Sequence, residues 1–213
     1  MDLYFSPLSC SMATRIALYE SGEAANFLEV DPKTKKLLSD GSDYLETYSL
    51  GLVPSLRTDD GQLLTENAAI LQYVADRRPE SGLAPRDAIG RTRLHQWLCF
   101  IGTELHKALF VPLLDKKTPQ EMKLYVLAKQ LSRLNFLDKY LTGREYLLDD
   151  FTIADAYLAT VLNWTQVIPS IEMARYPAVV GYLDRLRKRP SVAKAMAEEA
   201  VLWRAELNRH QAA

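Results

Sequence analysis

The sequence predicts an α/β domain followed by an all-helical domain. Residues 1–79 alternate strand-like and helix-like patterns, and the residues from 88 onward keep helical periodicity throughout. Between them, PESGLAPRD (79–87) concentrates proline, glycine and serine, which is typical of a domain boundary. We therefore expect one domain over 1–79 and a second over 88–213.

The N-terminal domain begins with a strand, a helix and a second strand. Residues 2–6 (DLYFS) and 26–30 (NFLEV) are short apolar runs, and residues 11–21 between them have helical spacing. This order favours a parallel pair of strands. In VPSLRTDDGQLL, two apolar runs flank Asp-Asp-Gly, which predicts a hairpin. TENAAILQYVADR then predicts a helix.

Apolar side chains spaced by three and four residues predict the helices of the second domain. Residues 94–108 and 124–141 each have one apolar face at this spacing, which predicts two helices with a buried side. A third helix, in FTIADAYLATVLNW, starts at Thr152, and Asp155 three positions later completes a capping box. Two more helices follow, separated by Pro190.

Composition excludes several classes of protein. A net charge of −1, from 26 basic and 27 acidic residues, makes nucleic acid and anionic membranes poor partners. No basic leader opens the sequence, and no apolar window approaches the roughly 18 residues of a membrane span. Cys10 and Cys99 form no disulfide scaffold, and no CxxC or HxxxH spacing indicates a metal site. We expect a cytoplasmic protein with reduced thiols.

Cys10 lies where the first strand gives way to a helix, in SPLSCSMATRIAL. A helix N-terminus carries unpaired amides and partial positive charge, which stabilise a thiolate and lower the pKa of a thiol. The same place is the carboxyl end of a parallel strand, where open α/β sheets bind ligands. Alternatively, Cys10 is a small apolar residue with a structural role, and spacing alone does not decide between the two.

Two further motifs accompany Cys10. In GLVPSL, a cis Val53-Pro54 bond would expose the Val53 amide and carbonyl to an extended peptide ligand. In LLTENAAI, Glu66 and Asn67 open a helix, where they could bind an ammonium and a carboxylate. Each motif alone has an ordinary structural interpretation, namely a turn and a dipole-compatible first helical turn. A chain that combines both motifs with Cys10 is unusual, and the combination favours a ligand-binding site.

The order and spacing of SPLSCS, TKK (34–36), LVPSL, LLTEN, ELHK (104–107) and FTIADAYL resemble the cytosolic glutathione S-transferases, most of all the bacterial beta class. The resemblance covers almost the whole chain. It implies a thioredoxin-like N-terminal domain, an all-helical C-terminal domain, a homodimer, and glutathione as co-substrate without a metal. It also implies detoxification chemistry, in which glutathione attacks a small hydrophobic electrophile or a disulfide.

The resemblance implies a role for each matching residue. The catalytic residues would be Cys10, Ser11 and His106, with Cys10 able to form a mixed disulfide with glutathione. Glutathione would be bound by Lys35, Val53, Pro54, Glu66, Asn67 and Lys107. The acceptor site would include Trp164 and Phe110.

Helical spacing gives His106 modest independent support. Cys99, Thr103, His106 and Phe110 would share a face next to the buried stripe. A lone histidine on a helix is more often structural than catalytic, and we expect that of His95 and His210.

Three alternatives remain open at this point. One concerns the mechanism, in which a serine beside Cys10 would be the main stabiliser of the thiolate. The other two concern the function: the chain would be a non-catalytic transferase-like interaction module, or a carrier of hydrophobic ligands without turnover. No short motif selects among conjugation, reduction, dehalogenation and peroxidase chemistry, and none assigns a role to Cys99.

Overall fold

A mixed sheet organises the first of two structural units. The structure is a computed structural model that describes residues 1–211. Within that range, a four-stranded sheet has the order β2-β1-β3-β4. The strands are β1 (Asp2–Phe5), β2 (Asn26–Glu29), β3 (Ser55–Arg57) and β4 (Leu63–Thr65). β1 and β2 are parallel, and β3 and β4 form an antiparallel hairpin, so both predicted strand pairs are confirmed.

Helices pack beside this sheet in the same unit. They are α1 (Met12–Ser21), the single turn α2 (Tyr44–Thr47), α3 (Asn67–Arg77) and the C-terminal α9 (Pro190–Gln211). α1 packs against α3, and Leu3, Ile16, Leu56 and Ile70 are completely buried in the core. This is the thioredoxin-like arrangement that the resemblance implied.

The position of α9 differs from the predicted domain boundaries. The first unit comprises Met1–Leu83 together with the helix that starts at Pro190, and the second comprises Ala84–Arg189. α9 packs on α1, and its Val192 and Ala195 side chains are completely buried. Because these apolar side chains are small and few, their pattern does not reveal which domain α9 contacts.

A buried ion pair joins α9, α1 and the turn that precedes α1. Glu199 Oε1 lies 2.9 Å from Arg15 Nε, and Glu199 Oε2 accepts a hydrogen bond from the Leu8 amide at 2.7 Å. The Arg15 guanidinium also lies 4.3 Å from the ring centre of Phe5 and 4.0 Å from that of Phe27. Burial raises the pKa of Glu199 to about 7, although Arg15 and the Leu8 amide oppose this shift.

Helices account for the regular structure of the second unit among the described residues. α4 (Ala88–Phe100) continues through a π-helical segment (Ile101–Phe110) into α5 (Val111–Leu114). Next come α6 (Gln120–Leu141), α7 (Ile153–Asn163) and α8 (Pro177–Arg187). Short 3-10 turns lie at Trp164–Val167 and Met173–Arg175.

The continuous helix Ala88–Leu114 is long and apolar enough to cross a membrane by length and composition alone. The expectation that no such stretch exists was therefore wrong. A core helix of a globular unit meets the same criterion, and here Leu94, Ile101 and Leu105 are completely buried. The π-helical part packs against α6 and α7, which accounts for its apolar character.

The capping box predicted at the start of α7 is present, and its carboxylate does more than cap the helix. Asp155 accepts hydrogen bonds from the Thr152 amide at 2.8 Å and from the Leu147 amide at 2.9 Å. It also accepts one from the Tyr182 hydroxyl of α8 at 2.7 Å. Asp155 is fully buried, so these donors depend on it.

We expect Asp155→Ala to lower the free energy of unfolding by about 3 kcal/mol, because several buried donors lose their acceptor. Denaturant unfolding followed by circular dichroism measures this loss. Thr152→Ser, which keeps a capping hydroxyl, serves as the control and should cost less than about 1 kcal/mol. Equal stabilities of Asp155→Ala and the unmodified protein would contradict this account.

Glu199 should make stability depend on pH. Its folded pKa of about 7 exceeds the ordinary value of 4.5, so the folded state binds a proton more tightly than the unfolded chain does. This contribution is complete below about pH 4.5 and is lost as the pH rises through about 7. We expect Glu199→Gln, which cannot ionise, to flatten the fall in unfolding free energy between these pH values. Parallel pH profiles for Glu199→Gln and the exposed control Glu46→Gln would refute this expectation.

Candidate active site

Cys10 lies in the turn between β1 and α1. The first helical residue of α1 is Met12, so Cys10 precedes the helix by two positions, and it is partly exposed. The amides of Met12 and Ala13 donate to the carbonyls of Ser9 and Cys10 at 3.1 and 3.2 Å. The first turn of α1 thus starts directly after Cys10, and its dipole favours negative charge there.

A hydrogen bond connects Cys10 to the loop before β3. The Cys10 thiol donates to the Val53 carbonyl, with Sγ and the oxygen 3.3 Å apart. The Val53-Pro54 bond is cis, as predicted. Residues predicted from two separate motifs therefore meet in the structure.

The two serines beside Cys10 differ in their access to solvent. Ser11 is fully buried, and its hydroxyl lies 2.7 Å from Ser9 Oγ and 3.3 Å from the Ser6 carbonyl oxygen. Ser9 is partly exposed. Ser11 was predicted to help hold the thiolate, but these contacts direct its hydroxyl to Ser9 and the backbone. Of the two, Ser9 is the one that solvent reaches.

Lys35 lies in a tight turn that Asp31 organises. Asp31 Oδ1 accepts hydrogen bonds from the amides of Lys33 and Thr34, both at 2.9 Å. Lys35 has a φ of +58°, in the left-handed region that non-glycine residues rarely adopt. Its Nζ donates to the Gly51 carbonyl at 3.0 Å. The ammonium thus reaches the segment that leads into the cis bond.

Glu66 and Asn67 start α3 with contrasting environments. Glu66 is exposed and has a φ of +65°, and such strained conformations cluster at binding sites. Asn67 is buried, and its Oδ1 accepts a hydrogen bond from Thr14 Oγ1 at 3.0 Å. Within residues 1–211, its buried Nδ2 has no hydrogen-bond acceptor. An acceptor from a ligand would satisfy this group.

In the second unit, His106 lies among aromatic side chains. Its Nδ1 is 2.7 Å from the Tyr157 hydroxyl, and its ring centre is 5.0 Å from that of Trp164. Burial lowers the pKa of His106 to about 4, and the neighbouring charge of Lys107 adds to this shift. His106 is therefore neutral at pH 7. Lys107 itself is exposed.

The predicted common face of Cys99, Thr103, His106 and Phe110 was wrong. Cys99 and Thr103 are exposed, whereas His106 and Phe110 are buried. The reason is the π-helical segment, in which the Val111 amide donates to the His106 carbonyl five residues earlier. Each wider turn shifts the side chains that follow relative to α-helical spacing.

Phe110 was predicted to line the acceptor site, but its side chain is completely buried. Its ring packs edge-on against Trp164, with ring centres 5.8 Å apart. Phe110 therefore supports Trp164 from within the unit and does not offer a surface of its own.

Sequence reasoning did not identify Tyr157, Thr14 or Asp31. Tyr157 lies within a long apolar helix, where an aromatic residue indicates only core packing. Thr14 lies in the first turn of α1, four residues after Cys10, where a threonine by itself indicates no ligand contact. Among the residues that the structure describes, no group of three or more His, Cys, Asp or Glu side chains is arranged to hold a metal.

Two family models match the chain. Residues 3–82 match the model described as glutathione S-transferase, N-terminal domain. Residues 97–190 match the model described as glutathione S-transferase, C-terminal domain. The first match lies in the first structural unit and the second covers most of the second unit, while α9 beyond Pro190 lies outside both matches.

Individual relatives match over nearly the whole chain. Glutathione S-transferase GstA of Escherichia coli O157:H7 is 39% identical over 203 residues, which are 94% of this chain and 100% of that protein. The structure of a sphingomonad glutathione S-transferase complexed with glutathione is 42% identical, with a TM-score of 0.89, and covers 94% of this chain and 99% of that one. A bacterial beta class enzyme from Sphingomonas chungbukensis is also 42% identical, with a TM-score of 0.88 over 93% of this chain and 98% of its own. The chain therefore belongs to the glutathione S-transferase family and resembles its bacterial beta class.

Proposed function

We propose that this glutathione S-transferase binds glutathione along the first unit, with the sulfur of the tripeptide beside Cys10. The observation that carries the proposal is the 3.3 Å contact between Cys10 Sγ and the carbonyl of Val53, next to the cis Val53-Pro54 bond. An extended peptide that pairs with the Val53 backbone would bring its own cysteine next to Cys10. Glutathione is such a peptide.

The polar groups of the first unit fit the charged ends of glutathione. Exposed Glu66 would bind the γ-glutamyl ammonium. The unsatisfied Nδ2 of Asn67 would donate to the γ-glutamyl carboxylate, which the N-terminus of α3 also favours. Lys35 would bind the glycine carboxylate, since its ammonium already lies beside the segment before Val53.

Residues of the second unit keep the roles that the resemblance implies. His106 would act in catalysis, Lys107 would contribute to glutathione binding, and Trp164 would form a wall of the acceptor site with Phe110 behind it. Because burial keeps His106 neutral at pH 7, it would serve as a hydrogen-bond partner and not as a fixed positive charge.

The chemistry starts from the glutathione thiolate. Lowering the pKa of that thiol by two units requires about 2.7 kcal/mol of preference for the charged form, which a helix N-terminus and one or two donors can supply. The thiolate then attacks an electrophile and forms a C–S bond, and the electron pair departs with the leaving group. In the addition to an activated double bond, the pair moves to the second carbon, which takes a proton from water.

Cys10 offers a second route. Its thiolate attacks one sulfur of glutathione disulfide, forms a mixed disulfide and releases the other half as glutathione thiolate. A second glutathione thiolate then attacks the glutathione sulfur of the mixed disulfide, which returns Cys10 as a thiolate and forms glutathione disulfide again. With a mixed disulfide of another thiol as the oxidant, the same two steps reduce that substrate.

We also propose that the enzyme is a soluble cytoplasmic homodimer. The support for the homodimer is the resemblance to the beta class, which implies it. No observation on this chain favours a non-catalytic interaction module or a carrier of hydrophobic ligands over an enzyme.

Cys10→Ala should still bind glutathione but lose the mixed disulfide. Mass spectrometry after treatment with glutathione disulfide would show one glutathione adduct on the unmodified protein and no adduct on Cys10→Ala. Cys99→Ala is the matched control, because it removes the exposed thiol of the second unit and should keep the adduct. An adduct that disappears with Cys99→Ala and persists with Cys10→Ala would refute the assignment.

Glu66→Ala should weaken glutathione binding by about 1–3 kcal/mol, the usual worth of a hydrogen bond to a charged group. Titration calorimetry measures the dissociation constant directly. Glu46→Ala, which removes another exposed glutamate of the first unit, should leave the affinity within about twofold. An unchanged affinity of Glu66→Ala would count against the proposed place of the γ-glutamyl group.

A further inference from the structure

The last turn of α9 binds the turn that carries Lys35. His210 Nε2 lies 2.9 Å from Asp31 Oδ2. One residue earlier, Arg209 Nη2 donates to Glu29 Oε1 at 2.7 Å. His210, which we expected to be structural, is therefore the α9 residue that contacts Asp31, and Arg209 attaches the same helix turn to β2.

Asp31 uses its two carboxylate oxygens for different tasks. Oδ1 accepts the amides of Lys33 and Thr34 and so closes the turn, while Oδ2 faces His210. The Asp31 carbonyl also accepts the Lys35 amide at 2.9 Å. Asp31 is only 5% exposed, so His210 takes the place of water at Oδ2.

The charges around His210 favour this contact. Burial opposes ionisation of Asp31, but the amides of Thr34 and Lys33 and the side chain of His210 outweigh it and hold the pKa of Asp31 to about 2. Asp31 is thus a carboxylate at neutral pH. On the other side of the imidazole, Glu206 Oε1 lies 3.9 Å from Nδ1. His210 is held between two carboxyl groups, with Arg209 as the neighbouring cation.

Lys35 needs such support because its backbone is strained. A left-handed conformation is unfavourable for a non-glycine residue, and the turn closed by Asp31 holds Lys35 in it. The same conformation places Lys35 Nζ at the Gly51 carbonyl. If the turn closed by Asp31 opened, the Lys35 ammonium would move away from the segment before Val53.

We propose that His210 is a positioning residue for glutathione binding, which holds Asp31 so that the turn presents the Lys35 ammonium to the glycine carboxylate of the tripeptide. The inference rests on the proposed role of Lys35. His210 itself does not touch glutathione, so its effect passes through Asp31 and Lys35.

A double-mutant cycle with glutathione as the calorimetric ligand tests the inference. His210→Ala should weaken binding about three- to tenfold, since it removes one partner of a buried carboxylate. His210→Gln should restore most of the affinity, because its amide can donate to Asp31. His210→Ala combined with Lys35→Ala should bind no more weakly than Lys35→Ala alone, since coupled residues are not additive.

Arg209→Ala is the matched control, because it removes the neighbouring ion pair from the same helix turn and leaves Asp31 in contact with His210. It should change the affinity less than about twofold, since the pair is partly exposed and does not involve Asp31. If His210 were merely structural, His210→Ala and Arg209→Ala would lose the same glutathione affinity, or the loss of affinity from His210→Ala would add to that from Lys35→Ala. Either result would overturn the inference.

Failure of the proposed function is distinguishable from failure of this inference. If the unmodified protein binds no glutathione, or if Lys35→Ala binds it unchanged, the proposed site is wrong and the inference falls with it. If both of those measurements agree with the proposed site and His210→Ala binds like the unmodified protein, the inference alone is overturned. Should His210→Ala not fold, His210→Leu takes its place in the cycle, because leucine fills similar space but cannot donate to Asp31.

Discussion

The first unit depends on one buried ion pair, between Arg15 of α1 and Glu199 of α9. Each partner makes further contacts. Arg15 lies against the rings of Phe5 and Phe27, and Glu199 accepts a hydrogen bond from the Leu8 amide. Arg15 Nε and Glu199 Oε1 lie 2.9 Å apart without hydrogen-bond geometry, so the pair acts through its charges, the Leu8 amide and the two rings. The pair therefore fixes the position of α9, the start of α1 and the turn before Cys10 at once.

Unusual backbone conformations place the residues of the candidate site. Cys10 is presented by a turn, Val53 by a cis bond, and Lys35 and Glu66 by left-handed backbone. Left-handed non-glycine residues persist only where their surroundings hold them. Lys35 is held by the turn that Asp31 closes. Asp31 in turn contacts His210 of α9, the helix that also carries Glu199.

Local patterns predicted much of this. Apolar periodicity and turn residues gave the strands, the hairpin and most helices, and the capping box marked the start of α7 at Thr152. Two of the motifs also singled out Cys10 and Val53, which the structure places in contact. Contacts between distant segments were beyond such patterns, because nothing near Glu199 or His210 in the sequence indicates Arg15 or Asp31 as a partner. The π-helical segment was missed because a change of hydrogen-bond register leaves the composition of a helix unchanged.

The π-helical segment also affects how this enzyme can change. A π-helix bonds each amide one residue farther back than an α-helix does, so it can be viewed as an α-helix that has accepted extra residues. Deleting one residue between Ile101 and His106 would tighten the turn and rotate Trp164's neighbours, His106 and Phe110, around the helix axis. Under the proposed role of Trp164 in the acceptor site, an insertion or deletion in this stretch would shift all of its neighbours at once, which a point substitution does not do.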